Sequence, residues 1–176
     1  ADKTIDTPTN GNLILDGNIT TSANALTKID GGTLTLGGGD GFSSYYLNGG
    51  TNIITGTTTV TGTGSGSYFY LGNGNTAYNG ALVIQSGAAF NVTGSFGDAG
   101  VLGRNGGSAT VIQNGGTFTF NPANQSYLLV GATSETGTRS EYDMNGGTLD
   151  MSGYTLGVAL SDSGVLSTGV VDQVGG

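Results

Sequence analysis

The sequence predicts an all-β chain wound as a parallel β-solenoid, with about three strands per rung and roughly five rungs. Three observations predict it. The first is composition: 36 of 176 residues are glycine, 9% are charged and 35% are hydrophobic. That apolar share is too small for a core of thick elements and too large for a disordered coil, so a thin, repetitive core is implied. The second is the near-exclusion of helix. Glycine costs about 1 kcal/mol per helical position relative to alanine, Thr and Asn are also poor formers, and no window of about 12 residues escapes them. The third is an internal repeat built on a glycine-pair turn.

Asp30-Gly31-Gly32-Thr33, Asn48-Gly49-Gly50-Thr51, Asn114-Gly115-Gly116-Thr117 and Asn145-Gly146-Gly147-Thr148 are four copies of one turn. Ser86-Gly87-Ala88-Ala89 is a degenerate fifth, and Val174-Gly175-Gly176 begins a sixth. From Gly87 through Gly115, Gly146 and Gly175 the spacings are 28, 31 and 29 residues. A period near 29 suits one rung. Glycine belongs at such corners because it takes positive φ without a Cβ clash, and the neighbouring Asn tolerates the left-handed region.

Strands on either side of the turn follow the period-two pattern of a half-buried sheet. After the glycines the inward column reads Leu34 and Leu36, Phe90 and Val92, Phe118 and Phe120, Leu149 and Met151, with Asn52 breaking it once. Before the glycines it reads Val83 and Gln85, Val111 and Gln113, Tyr142 and Met144, Val171 and Gln173. A third strand ends in an aliphatic residue and glycine at Leu71-Gly72, Leu102-Gly103, Val130-Gly131 and Leu156-Gly157. Three strands per period describe a triangular coil. One continuous domain over residues 1–176 is expected: an entry segment at 1–23, divergent repeats at 24–64, and repeats of about 29 residues from 65 onward.

The net charge of −8, with four Lys and Arg in all, argues against nucleic acid or an anionic membrane as partner. With no Cys and no His, disulfides, the usual zinc ligands, thiol nucleophiles and an imidazole base are all missing. No run of about 18 apolar residues would let this segment span a membrane as a helix. Ala1 is what cleavage after a small-residue signal site leaves, and the Thr, Ser, Asn and Gly content fits an exported chain, so a secreted or cell-surface location is expected.

Residues 24 to 64 carry a resemblance. Leu26-Thr27-Lys28, then Gly31-Gly32-Thr33-Leu34-Thr35-Leu36, a polar loop, and Gly49-Gly50-Thr51 followed by apolar and Thr residues to Val60 resemble the β-strand repeat of autotransporter passenger domains and related secreted bacterial surface proteins. The resemblance implies a right-handed parallel β-helix displayed on or released from the outer surface, acting as an adhesin or matrix component.

Candidate chemistry is sparse. Glu141 and Asp143 project from one strand face about 7 Å apart, within reach of glycosidase-like acid and base work, with Asp150 close in sequence, but solvated acids are the simpler reading. Gly37-Gly38-Gly39-Asp40-Gly41 lacks the repeated Asp of calcium solenoids and reads as a plain glycine loop. Catalytic, cofactor and metal residues are therefore not assigned, and no enzyme activity is expected. Tyr68 and Tyr70 alternate with inward Phe69 and Leu71 and are read as outward, a candidate surface for sugars beside Tyr45, Tyr46 or Tyr78. The end rungs supply a candidate end-to-end interface, Leu13, Ile14 and Leu15 against Val170, Val171 and Val174, for self-association or continuation in a longer parent chain. A glycan or host surface is the other partner considered, and a carbohydrate-binding or carbohydrate-cleaving β-helix protein the alternative function.

Overall fold

Stacking rungs in parallel places each strand beside the strand one turn earlier and one turn later, and this is the arrangement found. The structure is a computed structural model that describes residues 2–74, 78–98, 100–125, 127–131, 139–159 and 168–174. Among these residues all strand pairings are parallel and no helix occurs.

The three walls of the prism are named here for their outward side chains. The tyrosine face stacks Lys3–Asp6, the end of Thr20–Ile29, the end of Gly39–Leu47, Phe69–Asn73, Gly100–Arg104, Tyr127–Val130 and Thr155–Val158. The aliphatic face stacks Asn12–Leu15, Thr33–Leu36, Gly50–Ile54, Asn79–Ile84, the start of Ser108–Pro122, the start of Arg139–Asp150 and Thr168–Gln173. The threonine face stacks Thr20 and Thr21, the start of Gly39–Leu47, Thr57–Thr63, Ala89–Ser95, and the ends of Ser108–Pro122 and Arg139–Asp150. The described residues thus make six full rungs and two walls of a seventh, against the five expected. The difference arises in the first half. One turn takes 23 residues from Lys3 to Leu26, 19 from Leu26 to Tyr45 and 24 from Tyr45 to Phe69, then 28 from Gly100 to Leu128 and again from Leu128 to Leu156.

The glycine-pair turns do not share one corner. Gly31-Gly32 and Gly49-Gly50 lead from the tyrosine face to the aliphatic face, whereas Gly115-Gly116 and Gly146-Gly147 lead from the aliphatic face to the threonine face. Leu34 and Leu36 therefore stack with Asn52 and Ile54, then with Leu82 and Ile84, and not in the column of Phe90 and Phe118. The inward pair of Asn79–Ile84 is Leu82 and Ile84, both fully buried; Val83 and Gln85 point outward. The cause is a corner of unequal length: Ile84 aligns with Gln113 while Ala89 aligns with Thr117, so the earlier corner holds one residue more. Leu156 likewise stacks on Leu128, and Val158 continues the column of Leu71, Leu102 and Val130. At Gly116 the corner requires glycine: φ is +67°, and a Cβ would lie 2.3 Å from the Ala88 carbonyl oxygen.

Inside the prism all three walls feed one aromatic chain. Tyr45 and Phe69 come from the tyrosine face, Phe90 and Phe118 from the threonine face and Tyr142 from the aliphatic face, with successive centroids 5.4 to 6.2 Å apart. Two of the polar residues that enter the lumen are met by aromatic hydroxyls. Asn52, the break in the column, is fully buried and donates to the Tyr45 hydroxyl. Gln113 accepts from the Tyr142 hydroxyl at 2.6 Å and donates to the Thr148 carbonyl at 2.9 Å.

Two ionisable side chains are enclosed as well. Lys28 occupies the column between Ile5 and Leu47, is 1% exposed, and donates to the carbonyls of Ile29, Asp30 and Gly49. Burial pulls its pKa below the ordinary lysine value, opposed by the charges of Asp30 and Asp6. Asp40 corrects the reading of a plain glycine loop: Gly39 opens a strand, and Asp40 faces inward beside Thr58, 3% exposed. Its Oδ1 accepts from the Ile19 amide at 2.8 Å, while its Oδ2 and the stacked Thr58 hydroxyl are buried without partners. Burial raises its pKa, with the Ile19 amide acting in the opposite direction.

Phe118 is fully enclosed and Thr119 points outward, so Phe118→Ala is expected to cost about 3 to 5 kcal/mol and Thr119→Ala within about 0.5 in chemical unfolding. Asp40 gives a pH signature. A carboxyl whose folded pKa lies above its unfolded value stabilises the fold fully below the unfolded value, about 3.9, and loses that contribution as pH rises through the folded value. Asp40→Asn keeps an acceptor for Ile19 and removes the charge that burial penalises, so at neutral pH it should be more stable than wild type. The advantage should shrink on acidification toward pH 4; an advantage that is independent of pH would show that the buried carboxyl does not titrate as argued.

Candidate interaction surfaces

Alternation along each strand that sends one residue into the lumen sends its neighbour out, so each wall carries its own outward ladders. On the tyrosine face Tyr46, Tyr70, Val101 and Leu129 stack in one column, with Tyr68 beside them. The Tyr68 and Tyr70 rings stack at 5.1 Å, and Tyr46 meets Tyr70 edge-on at 6.1 Å. Arg104 lies over the Tyr70 ring with its guanidinium carbon 5.4 Å from the centroid, donates to the Tyr70 hydroxyl at 2.7 Å, and pairs with Asp98. The Tyr70 hydroxyl in turn donates to Asp98 at 3.0 Å. These contacts correct the reading of Tyr70 as a free surface residue: it faces away from the lumen but is only 6% exposed, and burial pushes its pKa up. Tyr68 is half-buried, Tyr127 on the same wall is 47% exposed, and Tyr45 points into the core. The sequence held part of the signal for Arg104: Asn105-Gly106-Gly107 is a further copy of the corner, and it marks Arg104 as the last residue of a strand.

The aliphatic face runs outward through Ile53, Val83 and Ile112, in register, and then turns acidic at Asp143 and Asp172. Arg139 grips Glu141 through both guanidinium NH2 groups, and that hydrogen bonding pulls the Glu141 pKa below the usual carboxylate range. Asp143 moves the other way, through desolvation first and then the charges of Glu141 and Asp172. Glu141 is thus an ionised, charge-compensated group, poorly suited to donate a proton near neutrality. At the opposite end of this wall an open groove of about 430 Å³ is lined by Asn10, Gly11, Asn12, Gly31, Gly32, Thr33, Thr35 and Ile53, with no ionisable side chain among them.

On the threonine face, three strands align without a bulge. Thr57, Ala89, Thr117 and Thr148 form one outward rank; Thr59, Asn91, Thr119 and Asp150 form the next; Thr61, Thr93 and Asn121 form the third. Cross-rung contacts tie the ranks, Thr61 Oγ1 to Thr93 Oγ1 at 3.4 Å and Asn91 Nδ2 to Thr59 Oγ1 at 3.5 Å.

The sequence-predicted end residues sit on the outermost described rungs. Leu13 and Ile14 are 37% and 54% exposed and Leu15 is half-buried; Val171 and Val174 are 40% and 63% exposed and Val170 is half-buried. Val158 on the last tyrosine-face strand is 41% exposed. Gly175 and Gly176, the start of the sixth corner copy, lie outside the described residues.

The chain matches no protein-family model, no curated protein and no solved structure, so the lateral ladders and the end rungs are the ground on which a function is read.

Proposed function

We propose that this chain is an extracellular structural or adhesive module, a solenoid segment whose copies stack end to end into a fibre or sheath. The observation that carries the reading is the distribution of exposed apolar bulk. Among the described residues the large exposed hydrophobics are Leu13 and Ile14 on the first rung, Val158, Val171 and Val174 at the last, and Tyr127 between. Val171 belongs to the lumen column that begins at Leu13, passing through Leu34, Asn52, Leu82, Val111 and Tyr142. Seating Thr168–Gln173 of one copy on Asn12–Leu15 of the next continues that column in the register already used six times within the chain. Val158 then meets Ile5 on the tyrosine face, also within its own column.

Such a contact adds a strand to an open edge, gains main-chain hydrogen bonds and buries the exposed valines and leucines. It is heterologous and does not close, so it propagates. Further strands of one longer polypeptide satisfy the same edges, and the structural role is the same in either case. The acidic, Thr- and Asn-rich composition and the resemblance to autotransporter passenger repeats support an extracellular setting.

One observation favours a carbohydrate-binding role instead: Tyr68 and Tyr127 leave ring surface open on a wall reinforced by the Tyr70, Arg104 and Asp98 contacts. Glycan-array binding that disappears in Tyr127→Ala, without filaments, would select that reading.

The stacking reading predicts filaments by electron microscopy and a concentration-dependent rise in sedimentation coefficient for wild type. Val171→Lys combined with Val174→Lys places two cations on the edge and should leave single particles. Filaments unchanged in the double variant, or a wild-type chain that remains monomeric at high concentration, would sink the proposal.

A further inference from the structure

The threonine face is set apart from the other two walls by charge and by order. Its three central strands, Thr57–Thr63, Ala89–Ser95 and Ser108–Pro122 from Thr117 onward, carry no ionisable residue in a chain of net charge −8. They carry no outward aromatic ring either, since Phe90, Phe118 and Phe120 all point into the lumen. What faces outward is hydroxyl, methyl and amide on a grid with two fixed repeats: about 4.8 Å between rungs and about 6.6 Å between alternate residues of a strand. Three rungs and three ranks span roughly 10 Å by 13 Å on those repeats.

We infer that this face is an adsorption surface for ice. The partner must be uncharged, because an anionic or cationic ligand would find nothing to pair with among Thr57, Thr59, Thr61, Thr93, Thr117 and Thr119. It must also be periodic in two dimensions, because only a lattice engages a grid without a pocket. Neutral polysaccharide meets the first condition but is gripped by stacking on aromatic faces, which this wall lacks. The oxygen repeats of hexagonal ice meet both, one close to the rung spacing and one close to the rank spacing. Threonine suits the task chemically: its hydroxyl anchors a water molecule in the lattice, and its methyl group cages the water beside it. Thr is also stiff at χ1, and the contacts from Thr61 to Thr93 and from Asn91 to Thr59 hold rotamers that would otherwise have to be ordered on binding. Pre-organisation of that kind lowers the entropic cost of adsorption.

The test measures thermal hysteresis and incorporation of the protein into a growing ice hemisphere. Wild type should open a hysteresis gap and enter the ice. Thr59→Tyr and Thr119→Tyr, in the middle rank of the grid and pointing away from the core, should keep the β-sheet circular dichroism and lose both properties. Thr35→Tyr, outward on the aliphatic face, should keep both. Wild type excluded from ice overturns the inference without recourse to any variant, as does a loss shared by Thr35→Tyr. Adsorption to insoluble cellulose or chitin, or dimerisation through the same threonines, in place of ice adsorption would also overturn it. End-rung substitutions do not touch this grid, so failure here and failure of end-to-end stacking are read separately.

Discussion

Each side chain in a parallel solenoid has two neighbours that it cannot avoid, the residue one turn before it and the residue one turn after it, about 4.8 Å away. Everything else in this molecule depends on that constraint. A column must be chemically tolerable along its whole length, so Leu26, Tyr45 and Phe69, or Val60, Val92 and Phe120, form continuous apolar ladders. Where a polar residue enters the lumen, any partner it finds lies in its own rung or the adjacent one. Asn52 reaches Tyr45, Gln113 reaches Tyr142, and Lys28 turns its ammonium onto three backbone carbonyls at a corner. A lysine at a leucine position is tolerable because the corner brings three carbonyls within reach of its ammonium, and charge-assisted bonds to them offset the desolvation.

The corners obey a second constraint, close approach between successive turns of the backbone. Gly72 would set a Cβ 2.0 Å from the Ser108 carbonyl oxygen, and its φ is +63°. Asn105 and Asp30 reach positive φ without being glycine, at 51° and 63°. These residue types tolerate the left-handed region best after glycine. The same residues that allow the turn also mark it in the sequence, which is why the repeat could be seen at all.

How much could be read beforehand follows from this. The pairing of Phe90 with Phe118 and of Val92 with Phe120 was legible because strand and corner repeat together over 28 residues. The placement of Leu34 was not, because an identical glycine-pair sequence serves two geometrically different corners and nothing local distinguishes them. Val83 was misassigned for a smaller reason, one extra corner residue, which in a period-two strand exchanges inside for outside. Tyr70 illustrates the remaining limit. Its outward direction followed from alternation, but its cover comes from Arg104, 34 positions away, and from Asp98, whose proximity depends on the length of the intervening turn. Asp40 lay hidden among glycines that read as a loop, and only the strand pairing with Thr57 and Thr58 reveals it as a lumen residue.

The fold spends its inward positions on cohesion and leaves outward positions free, so the three walls can diverge in chemistry without disturbing one another: ring-rich, aliphatic running into acidic, and threonine-rich. Length is then the natural variable for any activity of a wall, because a lateral surface gains sites in proportion to the number of rungs and distinct sites on one body act together. Head-to-tail stacking would supply that length, but unevenly. The ranks through Thr57 and Thr59 meet Gly39 and Gly41 on the preceding rung, and Asp150 stands at the last rung of the second rank. A fibre of these subunits would therefore carry its threonine grids as separate patches, one per subunit, divided by glycine and a carboxylate. The tyrosine cluster would recur in the same way, since Thr27 and Gly157 bound its column at either end. The repeating unit of such an assembly is the chain, not the rung, and its lateral surfaces would act as an array of discrete sites whose spacing is set by the length of one subunit.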